Sequence, residues 1–401
     1  MLHRKKLLAL ALVTAGALPG LASAQTASVA LYGRLYPELV WGKASGGTSP
    51  GTTVSTLSPN PTGGDTPNIY SVQSSNSRLG IRGEEKIGSD LRAFFQIEQT
   101  IPVDSGGGVL ANRDTFLGLQ SEHWGTVKLG NFDTVYKNLG DTLSFLGISS
   151  GNFVSNSNIL SKSPLGTSSS ASFHLRRANS VQYESPDYRG FGVLAQYSPD
   201  EAKTPTRNAY LVSLGAKYEI DPLYVAIAVE QHRDLFGGSR NSRTTQSNFA
   251  DQNARSKDRA VRATVKYEFA NKTTTIEADI ARLEWKETGG AANRFQSYKH
   301  NSYLISADQR LGPWRFAASF TWADRGSCAL IGGADCSTDG LEGNQGSIGA
   351  SYSLSRRTQL FAIASRLTNG KSSRYNNADW LDAVTPGLDI NQVAVGIVHS
   401  F

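Results

Sequence analysis

Leu91-Arg92-Ala93-Phe94-Phe95-Gln96-Ile97-Glu98 decides how this chain folds. Leu91, Ala93, Phe95 and Ile97 fall on one side of an extended backbone, and Arg92, Phe94, Gln96 and Glu98 on the other. A helix would scatter these groups around its circumference. A strand, whose side chains point alternately to opposite faces, separates them. Val29, Leu31 and Leu35 alternate in the same way with Tyr32, Arg34, Tyr36 and Glu38, and Leu79 and Ile81 with Arg78, Gly80 and Arg82. The period of two returns at Val193–Tyr197, Val212–Tyr218, Leu223–Val229, Val261–Phe269, Thr274–Ile280 and Tyr303–Ala307. It closes the chain at Trp314–Trp322, Ile348–Leu354, Leu360–Ala364 and Val393–Phe401.

Composition says what the apolar face meets. Only 39% of the 401 residues are hydrophobic, with 40 Gly and a single Met. A soluble protein of this length needs long apolar runs to fill its core, and none follows residue 24. Before it, Arg4, Lys5 and Lys6 precede the apolar Leu7–Leu21 and the small-residue triplet Ala22-Ser23-Ala24. That is the pattern of a cleaved secretory signal over residues 1–24, leaving 25–401 as the mature chain. Without the three basic residues of the leader, 37 basic residues face 34 acidic ones, a balance of +3. No basic run resembles a nucleic-acid arm, so no nucleic-acid partner is expected. An exported chain, apolar at every second residue, fits a barrel whose strands show one face to lipid and the other to water.

The connections alternate in length. Ile87-Gly88-Ser89, Asp187–Gly190, Asp221-Pro222, Gly312-Pro313 and Ser355-Arg356 are tight turns. Between them lie Lys43–Ser71, Asp104–Ala111, Thr134–Leu175, Phe236–Ser256, Thr288–Tyr298, Gly326–Glu342 and Asn369–Leu388. Short turns opposite long loops are the asymmetry of an outer-membrane barrel. The count reaches sixteen strands, at about 24 residues per strand and connection, a size that leaves an aqueous channel. The expectation is therefore an all-β, 16-stranded antiparallel transmembrane β-barrel. Segment 134–175 is rich in Ser and Gly, lacks any period and carries only Lys137, Asp141 and Lys162 as formal charges. A loop of that length is expected to be functional, and here to fold inward and set the width of the hole.

Five segments carry a resemblance: Val29–Gly33 (VALYG); Ser77–Gly88 (SRLGIRGEEKIG) with Leu91–Glu98; Asn112–Leu119 (NRDTFLGL) with Gly125–Gly130 (GTVKLG); Asn179–Pro186 (NSVQYESP) with Gly190–Tyr197; and Val395–Phe401 (VGIVHSF). In this order they resemble the general porins of β- and γ-proteobacteria, the neisserial and Burkholderia-type family. The resemblance implies a homotrimer in outer-membrane lipid, passive diffusion of small hydrophilic solutes and ions, and a third loop in each pore. It also places the family's arginines on Arg78 and Arg113. Asn131 stands where many members carry arginine after Leu-Gly, a departure at the pore wall.

By alternation Arg34, Arg78, Arg82 and Arg92 face the lumen as a basic strip, with Glu38, Glu84 and Glu98 as possible partners. Simple parity turns Arg113 outward, so its inward placement rests on the resemblance. Arg176 shares the parity of Ser180 and Gln182. With Asp141 these residues are the expected pore lining, and they favour a modest preference for anions. Cys328 and Cys336, in an exported chain, are expected to form a local disulfide in place of a metal site. Phe401 ends an apolar-alternating strand and resembles the family's assembly signal. No cofactor or metal is expected: the six histidines are scattered, and zinc at the cysteines would lack two ligands. Gly147-Ile148-Ser149-Ser150-Gly151 matches a nucleophile pattern but lacks its flanking strand and helix. Two other readings stand beside the diffusion channel. One is a channel for a single solute class, with Phe145, Phe153 and Phe173 as a ladder; the other is an outer-membrane hydrolase or adhesin barrel.

Overall fold

The computed structural model describes residues 27–47, 64–140, 142–143, 152–166, 171–201, 204–238, 253–270, 272–289, 295–333, 335–381 and 384–401. The leader 1–24, Asp141, Phe145 and the 147–151 pattern lie outside them. In chain order the strands are β1 (Ala27–Leu35), β2 (Glu38–Ser45), β3 (Thr66–Gln73), β4 (Arg78–Lys86), β5 (Leu91–Thr100), β6 (Thr115–Ser121) and β7 (Gly125–Asp133). Two short helices follow, α1 (Val135–Gly140) and α2 (Ser157–Leu160). Then come β8 (Arg176–Glu184), β9 (Phe191–Pro199), β10 (Tyr210–Ile220), β11 (Leu223–Arg233), β12 (Arg255–Glu268) and β13 (Thr274–Thr288). The last are β14 (Phe295–Leu311), β15 (Trp314–Ala323), β16 (Ser327–Leu330), β17 (Gly343–Ser353), β18 (Thr358–Asn369) and β19 (Asp389–Ser400).

Three pairs of these are single wall strands interrupted once. β1 and β2 break at Tyr36-Pro37, because proline brings no N–H to the ladder. β3 and β4 break beside it, where Ser77 Oγ accepts from the Tyr36 N–H at 2.7 Å in place of the lost ladder bond. β15 and β16 share β14 as neighbour. The wall therefore has sixteen strands, every pairing antiparallel. It closes where β19 runs between β18 and the β1/β2 strand. Gly33 and Phe401 exchange both backbone hydrogen bonds at 3.0 Å.

The faces are inverted relative to a soluble protein. On β14, Ile305 is 54% exposed while its neighbour Ser306 is 3% exposed; on β17 the corresponding values are 62% for Ile348 and 2% for Ser347. An apolar outside and a polar inside suit a wall between lipid and water, and closure satisfies every edge N–H and C=O that lipid cannot. Tyr303 and Trp322 stack at 5.0 Å on the outward face, as aromatic residues do at a membrane interface. β13 and β14 run to 15 and 17 residues, beyond the 9–11 that cross a bilayer. The connection expected at Thr288–Tyr298 is correspondingly shorter.

The described parts of 134–175 lie against the inward-facing side chains of this wall. Thr134 N–H donates to the Leu175 carbonyl at 3.0 Å, closing the base of the segment. α1 sits on β10–β12: the Tyr136 N–H donates to Ser213 Oγ (2.9 Å), and Tyr224 Oη donates to the Leu139 carbonyl (2.7 Å). Arg262 donates to the Gly140 carbonyl. A Cβ on Gly140 would meet the Arg262 guanidinium at 2.1 Å, and one on Gly215 would meet Leu139 at 2.3 Å, so both glycines are needed for this approach. Further on, Thr321 donates to Asn156 (3.1 Å) and Gln345 to the carbonyls of Phe153 and Ser155 (both 3.2 Å). Within one connection the chain thus touches β10–β12, then β15 and β17, and returns to β8.

Candidate pore constriction

Between this segment, Arg113 ahead of β6, the start of β8 and residues 376–379, a polar cavity of about 450 Å³ remains. Arg113, Lys137, Lys162 and Arg176 line it together with Asn76 and Asp379. Each element delivers its charge for a local reason. Arg113 precedes β6, so strand parity does not bind it, and its Nε donates to Glu98 Oε1 at 2.5 Å. Arg78 lies 3.6 Å from the other oxygen of Glu98, which also accepts from Tyr32 Oη (3.0 Å). Arg176 pairs with Asp114 (2.5 Å) and Asp133 (3.0 Å), and Asp133 also holds Lys137 at 3.0 Å. A register shift between Gly130 and Phe132, with Asn179 at φ 54°, interrupts β8 between Arg176 and Ser180. Parity counted from Gln182 therefore does not carry through to Arg176.

Outside the lining of the cavity, three cations stand without carboxylates. Arg34 and Arg78 are direct cross-strand neighbours. The Arg34 guanidinium lies over the Tyr36 ring at 5.1 Å and that of Arg82 over Tyr32 at 5.2 Å. Lys128 rests against Phe132 (4.4 Å) and Phe116 (5.0 Å). Among the described residues Arg34, Arg82 and Lys128 have no ion pair. Aromatic faces take up part of these charges without cancelling them. At the loop side, Lys162 Nζ donates to Asn158 Oδ1 (2.9 Å). Burial lowers its pKa to about 8, the Asp379 charge opposing the shift. Burial in turn raises the Asp379 carboxyl, with Lys162 opposing.

Some expected lining residues sit elsewhere. Arg92 faces inward but lies beside the Ile87–Asp90 turn, opposite Lys86, and pairs with Glu84 at 3.1 Å. It belongs to the far mouth, away from the cavity. Glu38 pairs with no arginine among the described residues. It is 2% exposed and accepts from Ser75 (2.7 Å) and Asn152 Nδ2 (3.1 Å), so it anchors the inner segment. Phe153 and Phe173 form no ladder: both are buried, Phe173 between Tyr136, His232 and Trp285, because their rings seat the segment on the wall. Cys328 stands on β16 and not in a loop, and it is disulfide-bonded to Cys336 outside the cavity. Lys128, Asp114 and Asp379 were missed. Alternation in β7 would have pointed to Lys128, whereas Asp379 comes from the 370–388 connection, where no period operates.

A closed sixteen-stranded barrel with a polar, charged lumen and an apolar exterior defines a channel-forming class of outer-membrane protein. The Gram-negative porin family profile matches residues 9–372, and the chain belongs to that family. It is a protein of the Gram-negative outer membrane. It is 26% identical to the major outer membrane protein P.IB of Neisseria lactamica over 50% of this chain and 64% of that one. It is also 26% identical to an outer membrane porin protein of Bordetella pertussis, over 75% and 79% of the two chains. The match thus spans just under two thirds of the neisserial relative. Among solved structures, an anion-selective porin from Comamonas acidovorans superposes with a TM-score of 0.68 at 18% identity, over 94% of this chain and 100% of that one.

Proposed function

We propose that the mature chain, 25–401 after removal of the leader, is a homotrimeric porin carrying small hydrophilic solutes and ions by passive diffusion, with a modest preference for anions and no catalytic role. Segment 134–175 is the constriction. The observation that carries the anion preference is the set of unpaired cations Arg34, Arg82 and Lys128, beside a cavity whose Arg113, Lys137 and Arg176 already have Glu98, Asp114 and Asp133 as partners. Three uncompensated charges at roughly 6 Å attract a small anion by about 2 kcal/mol in a water-like dielectric. Screening over about 8–10 Å at physiological salt reduces this to a preference. The anion-selective Comamonas porin shares this fold, but the charges of this chain carry the reading. The test is the reversal potential of purified protein in a planar bilayer under a KCl gradient. The expected sign is chloride over potassium, larger in dilute salt than at 1 M, and a cation-selective wild type refutes the charge reading.

A further inference from the structure

The cavity between the inner segment and residues 376–379 holds two open charges of opposite sign that do not meet. Of its cations, Arg113 is matched by Glu98, Lys137 by Asp133, and Arg176 by Asp114 and Asp133. Lys162 and Asp379 remain. Lys162 bonds the neutral amide of Asn158 at 2.9 Å, and neither it nor Asp379 has an ion pair among the described residues. Each nevertheless lies in the other's field: Asp379 opposes the fall in the Lys162 pKa, and Lys162 opposes the rise in that of Asp379. The frame around them holds the gap. Asn158, which takes the Lys162 ammonium, is itself tied to the Phe153 carbonyl at 3.4 Å. The two segments are bonded to each other on either side of the pair: the Arg374 N–H donates to the Pro164 carbonyl at 2.8 Å, and Asn377 Nδ2 donates to the Phe153 carbonyl at 2.9 Å.

The walls around the gap are neutral and polar, supplied by Ser155, Ser157, Asn158 and Asn376. An anion alone would satisfy Lys162 and be repelled by Asp379, and a cation alone the reverse. A solute carrying both charges a few ångströms apart satisfies both at once. We propose that this cavity is a transient binding site for zwitterionic α-amino acids with polar side chains. The carboxylate lies toward Lys162, the ammonium toward Asp379, and the side chain against the serines and asparagines. The inference rests on segment 134–175 being the constriction of an open channel, and it adds a solute class that the anion preference does not select. At about 450 Å³ the cavity falls in the size range of small-molecule sites, where a few placed polar groups fix orientation. Arg34, Arg82 and Lys128 lie outside its lining and set the ion preference separately.

The test records single channels of the folded barrel in a planar bilayer at pH 7, on the acid side of the Lys162 pKa of about 8, with L-glutamine added at rising concentration. Ion current should fall saturably as the solute lodges in the constriction. The half-blocking concentration is expected to be at least fivefold lower for L-glutamine than for N-acetyl-L-glutamine, which keeps only the carboxylate, or for L-glutaminamide, which keeps only the ammonium. K162Q and D379N should each raise it at least fivefold, while R356Q/R357Q, in a turn away from the cavity, should match wild type. Stronger block by the N-acetyl compound, or tighter block in D379N, would reduce the cavity to a simple anion site and overturn the proposal. So would a current that L-glutamine leaves unblocked in a protein that conducts ions normally, an outcome that spares the channel itself. A wild type that conducts no ions would defeat the channel reading and the proposal with it. Heat-dependent mobility reports folding of the variants. Should either fail to fold, the comparison of the three solutes on wild type decides alone.

Discussion

The lumen has two unlike sides. Along β10–β15 the inner segment covers the wall, and the charges beneath it are sealed: Arg262 is 3% exposed and pairs with Asp279 at 2.8 Å, while Glu230 and His232 meet at 2.9 Å with no exposure. Along β1 and β4–β7 the segment stands back, and Arg34, Arg82 and Lys128 keep their charges toward the channel. The same residue types serve two ends. A sealed charge holds structure and is costly to orphan; an open charge sets a field and is cheap to alter.

Changes on the sealed side should have the largest effect. Arg262→Leu leaves Asp279 buried without its cation, a loss of about 3–5 kcal/mol where such a pair is broken, and removes the donor to the Gly140 carbonyl. Single-channel records should then show larger, flickering conductance as α1 leaves β12; a steady wild-type conductance would mean that other contacts hold the helix. On the open side, Arg82→Gln should keep conductance near wild type but move the reversal potential toward cations. Lys137→Gln should move it less, since Asp133 already matches that charge at 3.0 Å. An equal shift in both would erase the distinction between paired and open cations.

A smaller effect comes from the seam between the two sides, where Lys162 faces Asp379. With its pKa lowered to about 8, Lys162 is charged below that pH and loses its charge above it, while burial raises the Asp379 carboxyl above the usual carboxylate range. Anion preference should therefore fall as pH rises from about 7 to 9, through the pKa of Lys162. Lys162→Gln should flatten the alkaline part of that curve in bilayer recordings. The smallest effect is expected from replacing Cys328 and Cys336 together by serine. The bridge spans eight positions outside the cavity, so selectivity and conductance should be unchanged. A shifted reversal potential would show that the outer loops reach the pore.

The barrel was readable because its physics is periodic. A period of two, repeated between short and long connections, fixes faces and closure without any single decisive residue. The same alternation is what puts Arg34, Arg78 and Arg82 on one strand face. Periodicity fails at Pro37, at the Gly130–Phe132 register shift and throughout the long connections. That is why Arg113 needed a resemblance, Glu38 was given an arginine partner in place of Asn152, and Asp379 went unseen. Phe153 and Phe173 have no period either, and their burial depends on which wall the segment meets.

The closing contact between Gly33 and Phe401 has a kinetic consequence. A Cβ at Gly33 would lie 2.3 Å from the Phe401 ring, so the two positions fit each other and little else. They stand at opposite ends of the described chain, which makes this join slow to find and impossible to form early. Until it forms, two strand edges stay unpaired, a state that lipid does not tolerate. Membrane entry and completion of the ring thus become one all-or-none event, and a defect at the join should show as fewer finished molecules, each conducting normally. Deleting Phe401, or Gly33→Val, should lower the yield of heat-resistant barrel while leaving the conductance of the surviving channels at the wild-type value.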